Sequence, residues 1–419
     1  MLRKAKEELN AERRYSSVRS VVLESDAKAS IATTPKETSP MLPHKTQATP
    51  SLLHTFYDVI VGSYLNLLLV CFPFAVWSHY GAWGDSIVFG LNFLAMIPLA
   101  KIIGDATEDV AFHAGDTIGG LVNATFGNAV EVIIAIFALQ DGQIAVVQAS
   151  LLGSILSNLL LVLGCCFMAG GVTQKVSKFN ETGASANSSL LMVSAFAMLV
   201  PSYYQYTTFT EEPETQATVL GLSRIAATFL LLMYGQLLYF QIKTHAHLFE
   251  PSDGEDDDGE DEEDTRMTLK HGMIVLALAT VLVSISSEYL VASLDGFVTS
   301  FNVSKSFVGI IILPVVGNAV EHLTAVRVAL KQKMELAMGV AVGSATQISL
   351  FVVPVTVLAG WLLDQPMTLA FPTFEAVTYV TSVVIVYAII VDGKSHWLEG
   401  SMLLTIYALI AAALLWIHV

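Results

Sequence analysis

The sequence predicts an all-α polytopic membrane protein, with one N-terminal helix followed by two inverted five-helix repeats, about 11 transmembrane helices in all. Three observations predict it. Of the 419 residues 54% are hydrophobic, only 14% are charged, and the mean hydropathy is +0.62, whereas a soluble domain has about a quarter of its residues charged. Apolar runs of the ~20 residues that a helix needs to cross a bilayer recur, near 60–80, 86–108, 117–140, 144–171, 186–207, 217–243, 270–299, 305–330, 335–361, 367–391 and 396–418. Finally, sliding the chain by 190 residues lays "GNAVE" at 127–131 over "GNAVE" at 317–321 and, without a gap, "GS" at 153–154 over "GS" at 343–344.

Taken in order, residues 1–55 read as a disordered cytosolic tail. The first fifty are polar, hold nine Lys/Arg and lack the apolar core of a signal peptide. Residues 56–84 carry the first transmembrane helix, 85–245 the first five-helix repeat, 246–268 a cytosolic acidic linker and 269–419 the second five-helix repeat. Because five is odd, the second repeat enters the membrane from the opposite side. This is the inverted repeat of secondary transporters, whose substrate sites lie near the midplane where the halves meet. With the N-terminus in the cytosol, the cytosolic connections hold Lys175, Lys178, Lys243, Arg266, Lys270, Lys331, Lys333 and Lys394, and the opposite side only Lys305. That asymmetry satisfies the positive-inside rule.

The formal charge of −16 is mostly local, since eleven carboxylates fall between Glu250 and Asp264. The run fails the Ca²⁺-loop pattern of an EF-hand: with Gly259 as the loop glycine, Gly254 stands where the first Asp belongs and Thr265 where the last Glu belongs. A solvated linker is the default reading. Cys71, Cys165 and Cys166 all lie in apolar runs, so neither a disulfide framework nor a thiolate metal cluster is expected. No nucleic-acid partner is expected either; the lipid bilayer is the surrounding medium.

Each "GNAVE" puts a carboxylate at bilayer depth, where an ionised side chain costs several kcal/mol and faces a partner or an aqueous cavity. Residues three and four apart share a helix face, so Glu131 has Asn128 and Gly127 beside it, as Glu321 has Asn318 and Gly317. The fourth span adds Ser154, Ser157 and Asn158, and the ninth adds Ser344 and Gln347. These are hard oxygen donors of the kind that Ca²⁺ takes, six to eight at a time, and they lack the thiolate or imidazole set that zinc and copper prefer. For the hydroxyls and Asn158 the alternative is interhelical packing at small residues. His322, next to Glu321, is a candidate for relaying protons, with a packed neutral ring as the alternative, and the acids at the cytosolic end of the second span, Asp105, Glu108, Asp109 and Asp116 with His113, read equally as a solvated loop or a cation funnel. Glu288, Asp295, Glu375 and Glu399 have no repeated partner and read as structural.

The stretches "NATFGNAVEVIIAI" and "LPVVGNAVEHLTAV" resemble the two signature repeats of the calcium/cation antiporter superfamily, in its cation/proton exchanger branch, and most of all fungal vacuolar calcium/proton exchangers. The resemblance runs from about residue 55 to the end, acidic linker included. It implies exchange of cytosolic Ca²⁺ for lumenal H⁺ across the vacuolar membrane, with Glu131 and Glu321 binding the two alternately. Asn128, Asn318, the carbonyls near Gly127 and Gly317, and the polar groups of the fourth and ninth spans would support them, and Glu108, where the family has an acid at a matching point, would join the proton coupling. No cofactor is implied beyond the transported Ca²⁺ and H⁺. Mn²⁺ is compatible as a co-substrate because it also accepts oxygen ligands, and a homo-oligomer is compatible with the sequence.

Two alternatives belong beside this reading. A sodium-coupled exchanger is disfavoured because that branch carries Thr- and Ser-containing motifs ending in acid. A passive divalent-cation channel would gather identical subunits around a pore, whereas this chain carries its own antiparallel pair of motifs. An enzyme is not expected, since neither a nucleophile with its base nor an H-E-x-x-H motif is present.

Overall fold

Hydropathy marks where apolar residues lie, and the computed structural model shows which of those stretches become straight spans. It describes residues 51–208, 213–246 and 267–416; the expected tail and acidic linker lie almost wholly outside the described residues. Among the described residues thirteen helical elements follow one another. They are α1 (Leu52–Val61), α2 (Tyr64–Tyr80), α3 (Asp85–Phe126), α4 (Ala129–Gln140), α5 (Ile144–Thr173), α6 (Glu181–Thr208), α7 (Pro213–Thr244), α8 (Leu269–Ala292), α9 (Leu294–Phe301), α10 (Lys305–Leu330), α11 (Met334–Leu362), α12 (Thr373–Ile390) and α13 (Trp397–Trp416). Two short strands, β1 (Ser177–Lys178) and β2 (Lys394–Ser395), pair antiparallel and join the α5–α6 and α12–α13 connections.

Among the described residues nine helices are long and apolar enough to cross a bilayer: α5 to α8, α10 to α13, and the Asp85–Gly115 part of α3. The first and third expected spans are not single rods. Residues 60–80 fall on α1 and α2, which meet at a bend of 100°, with Ser51 capping α1 and Ser63 capping the turn into α2. The helix therefore begins at Leu52, inside the stretch read as tail. Residues 117–140 are cut at Gly127–Asn128. The seventh span ends at Ala292, where Ser293 turns the chain into the separate α9. The tenth begins at Thr373 rather than near 367, because residues 367–371 are irregular, with Met367, Leu369, Ala370 and Phe371 buried. Their backbone groups are met by side chains: Ser223 accepts from Leu369 N, Ser202 accepts from Phe371 N, and Gln148 donates to the Thr368 and Ala370 carbonyls. Inside a membrane only such internal partners make irregular backbone tolerable.

The centre of the molecule is α5 packed with α11, the two most enclosed spans. Leu151, Ile155, Leu156 and Leu159 on α5 and Ala341, Ala345 and Ile348 on α11 are fully buried. Lipid tails are as apolar as these side chains, so association rests on close packing at small residues rather than on expelling water. A Cβ at Gly153 would lie 2.5 Å from the Ile310 Cα, and one at Gly400 would lie 2.6 Å from the Gly164 carbonyl oxygen. Both central helices contain a π-helical turn at matching places, Ser157–Val162 and Ile348–Val352. Such turns frequently mark functional sites because they shift the backbone register locally.

Candidate functional site

The first "GNAVE" sits at a helix break. Asn128 has φ −106° and ψ 23°, outside the helical region, and α4 starts at the next residue, with Glu131 in its first turn. A carboxylate there meets the positive end of the helix dipole and the unpaired amides of a helix start. The second copy adopts a different backbone: Gly317, Asn318 and Glu321 all lie inside the uninterrupted α10.

Most of the predicted residues are brought together across the two halves. The Asn128 amide donates to Gln347 Oε1 at 3.0 Å. The Asn158 amide donates to Ser344 Oγ at 3.2 Å, and Ser344 donates in turn to Glu321 Oε2 at 3.0 Å. Ser157 Oγ and His322 Nε2 lie 3.3 Å apart. Glu131 is 8% exposed and its carboxylate rests on Gly317, where a Cβ would strike Oε1. Each contact joins a residue of the first repeat to one of the second, apart from Ser344–Glu321. Ser154 is buried one turn before Ser157 on α5. Gly127, at the exposed break, brings its backbone beside Asn128. Glu108, on α3, is within electrostatic reach of Glu321, as is Glu131.

Several buried polar atoms in this set have no hydrogen-bond partner: Glu131 Oε2, Asn158 Oδ1, and both Oδ1 and Nδ2 of the fully buried Asn318. An unmet buried polar atom costs about 1–3 kcal/mol. Three of these four are oxygens, the donors a hard cation takes. Among the described residues no group of three or more His, Cys, Asp or Glu could hold a metal ion. The polar groups gathered here are two carboxylates with amides and hydroxyls.

The structure adds detail to two readings of the sequence. Asn158, for which packing was the alternative reading, hydrogen-bonds directly to the Ser344–Glu321 pair. Glu375, read as structural for want of a repeated partner, is 2% exposed and accepts from Ser306 at 2.7 Å, with its other oxygen unmet. Its repeat position is Ser185, so the duplication carried no signal for an acid there.

The chain matches the family described as "Sodium/calcium exchanger protein" over residues 85–243 and 271–416. It is 43% identical over 357 residues to the "Vacuolar calcium ion transporter" of Schizosaccharomyces pombe, covering 85% of each chain. To "Vacuolar cation/proton exchanger 3" of Oryza sativa subsp. japonica it is 42% identical over 375 residues, covering 88% of this chain and 89% of the relative. The solved structure of native YfkE superimposes with a TM-score of 0.71 at 35% identity, covering 84% of this chain and all of that one.

Proposed function

The chain belongs to the sodium/calcium exchanger protein family, and from that premise we propose that it is an antiporter, exchanging cytosolic Ca²⁺ for lumenal H⁺ across the membrane of an acidic compartment, the vacuole. One observation carries the reading: Glu131 and Glu321, from opposite repeats, meet the seam between the halves, Glu131 lying against Gly317 of the second repeat and Glu321 joined through its neighbour Ser344 to Asn158 of the first.

A bare buried carboxylate is costly, so each glutamate stays in the membrane carrying either a proton or a share of a cation. Calcium as substrate would take Glu131, Glu321, Ser344, the Asn128 and Asn318 amide oxygens and Gln347, with backbone carbonyls near Gly127 and Gly317 completing the six to eight oxygens it needs. Gln347 Oε1 accepts from the Asn128 amide; binding would turn that oxygen to the ion beside the Asn128 amide oxygen. Binding the dication expels the protons, and protonation expels the dication, because both need the same oxygens. Exchange follows when the empty, doubly charged site does not cross. Ser154 and Ser157 support the fourth-span wall, and Glu108 and His322 supply the proton route toward Glu321.

The positive-inside distribution supports a cytosolic side that holds the N-terminus, the end of the second expected span near Gly115, and the α5–α6, α10–α11 and α12–α13 connections. A lumen about two pH units more acidic supplies ~2.7 kcal/mol per proton, while a ~10⁴-fold calcium gradient costs ~5.5 kcal/mol. Two protons thus barely suffice. Manganese fits the same oxygen set as a co-substrate.

The test is ⁴⁵Ca uptake into vesicles holding the protein under an imposed acid-inside gradient. Uptake should collapse when a protonophore dissipates the gradient. Uptake indifferent to the protonophore would favour a passive channel.

A further inference from the structure

The two repeats carry matching small residues but do not make matching contacts. In the lumenal half of the molecule α5 receives the start of α10. A Cβ at Gly153 would lie 2.5 Å from Ile310 Cα and 2.8 Å from the Gly309 oxygen, and one at Gly309 would lie 2.5 Å from the Ala149 Cβ. Val308 and Ile310 are accordingly buried, at 0% and 1% exposure. This end is also fastened by Lys305 to Asp295 and Gln143, by Ser306 to Glu375 and by Ser304 to the Leu414 carbonyl.

The 190-residue offset turns Ala149 and Gly153 into Gly339 and Gly343 on α11, and Gly309 and Ile310 into Gly119 and Gly120 on α3. Among the described residues the matching contact is absent there. A Cβ at Gly339 or Gly343 would meet no atom within 4 Å. Ile118, the counterpart of the buried Val308, is 60% exposed. Just before this segment α3 is jointed at Gly115, whose φ of 74° and ψ of 167° lie outside the range open to L side chains.

We propose that Gly339 and Gly343 are positioning residues that form the receiving groove for residues 118–120, and that filling this groove seals the cytosolic side while the α5–α10 contact opens. The proposal rests on the antiport reading and gives it a moving part. Small residues on α11 alone would mean only close packing; the filled counterpart on α5 shows what such a groove accepts in this fold. Two glycines one turn apart let helix backbones touch, and the Gly115 joint lets 116–126 swing without bending the rest of α3. The exposed Ile118 gains burial on closing, as Val308 already has. In the present arrangement the site therefore faces the cytosol.

Gly343→Ala tests this, because the added methyl meets nothing in the cytosol-facing arrangement but would be driven into the Gly120 backbone on closure. The variant should insert, melt and bind cytosolic-side Ca²⁺ as the parent does, while ⁴⁵Ca/H⁺ exchange falls by about tenfold or more, the cost of one overpacked contact. A second reading does not depend on transport. In a background with Cys71, Cys165 and Cys166 replaced, Gly120→Cys with Gly343→Cys should form a reducible crosslink whose yield changes between Ca²⁺ at neutral pH and acid without Ca²⁺. A Gly343→Ala variant exchanging at the parent rate, or a double-cysteine protein that crosslinks under neither condition, would overturn the proposal. Failure of the antiport reading would show separately, as a parent protein with no exchange to lose.

Discussion

Gly317 on α10 lies directly against the Glu131 carboxylate of α4: a Cβ built on it would collide with Oε1 and stand 3.0 Å from Cδ. The glycine of the second "GNAVE" thus leaves room for the acid of the first, whereas a Cβ at Gly127 would meet only Asn123, so the contact runs one way in this arrangement.

Gly317→Ala should consequently push the Glu131 side chain out of its place. The expected outcome is a stability loss of about 1–3 kcal/mol from overpacking and a larger loss of exchange, with calcium affinity falling before the turnover rate. Thermal melting and ⁴⁵Ca flux on one preparation read both. Parent-like calcium affinity would show that the carboxylate does not need this position.

The Asn128–Gln347 hydrogen bond, at 3.0 Å, ties the helix break of the first repeat to α11 of the second. A double-mutant cycle of Asn128→Ala and Gln347→Ala should give a coupling of roughly 0.6 kcal/mol, the usual size within a membrane bundle. Calcium should reduce that coupling, since the bound ion takes the Gln347 oxygen that accepts the bond. A coupling unchanged by calcium would place the pair outside the binding shell.

Asp295, on α9 beyond the span, is held below the ordinary carboxylate range by its hydrogen bond to Lys305, aided by Gln143 and opposed by partial burial. A lowered folded value means that its contribution is present above the ordinary aspartate pKa and fades as pH falls through the depressed one. Asp295→Asn should therefore lower the melting temperature by a constant amount between about pH 5 and 7, with the two proteins converging only at more acid pH. A difference that vanished near pH 6 would contradict this assignment.

The paired motifs made the two halves and their acids legible, because a charge set into an apolar run at the same place in both halves costs too much to be incidental. What stayed hidden is physical rather than statistical. The same five residues form a helix break at Gly127–Asn128 and an unbroken helix at Gly317–Asn318, a choice made by the tertiary state and not by local sequence. Apolar content could not reveal that residues 367–371 leave the helix, since it is Ser202, Ser223 and Gln148 that make that backbone tolerable. Nor could it show α1 turning by 100° away from α2, because a bend leaves hydropathy unchanged. Glu375, read as structural, is buried against Ser306, and that pairing was not legible because the other half has Ser185 and not an acid at its place.

The central claim is that Glu131 and Glu321 jointly hold one calcium and exchange it for protons, and the direct measurement is ⁴⁵Ca/H⁺ exchange by Glu131→Gln and Glu321→Gln proteins in proteoliposomes. Each substitution keeps the side chain's size and one oxygen while removing the charge and the titrating proton, so each variant should fold at least as well as the parent, relieved of a costly buried acid. Both should exchange at background rates, equally, because each supplies half of the charge that calcium needs. A folded Glu131→Gln protein that still exchanged calcium for protons at near the parent rate would contradict the two-carboxylate site.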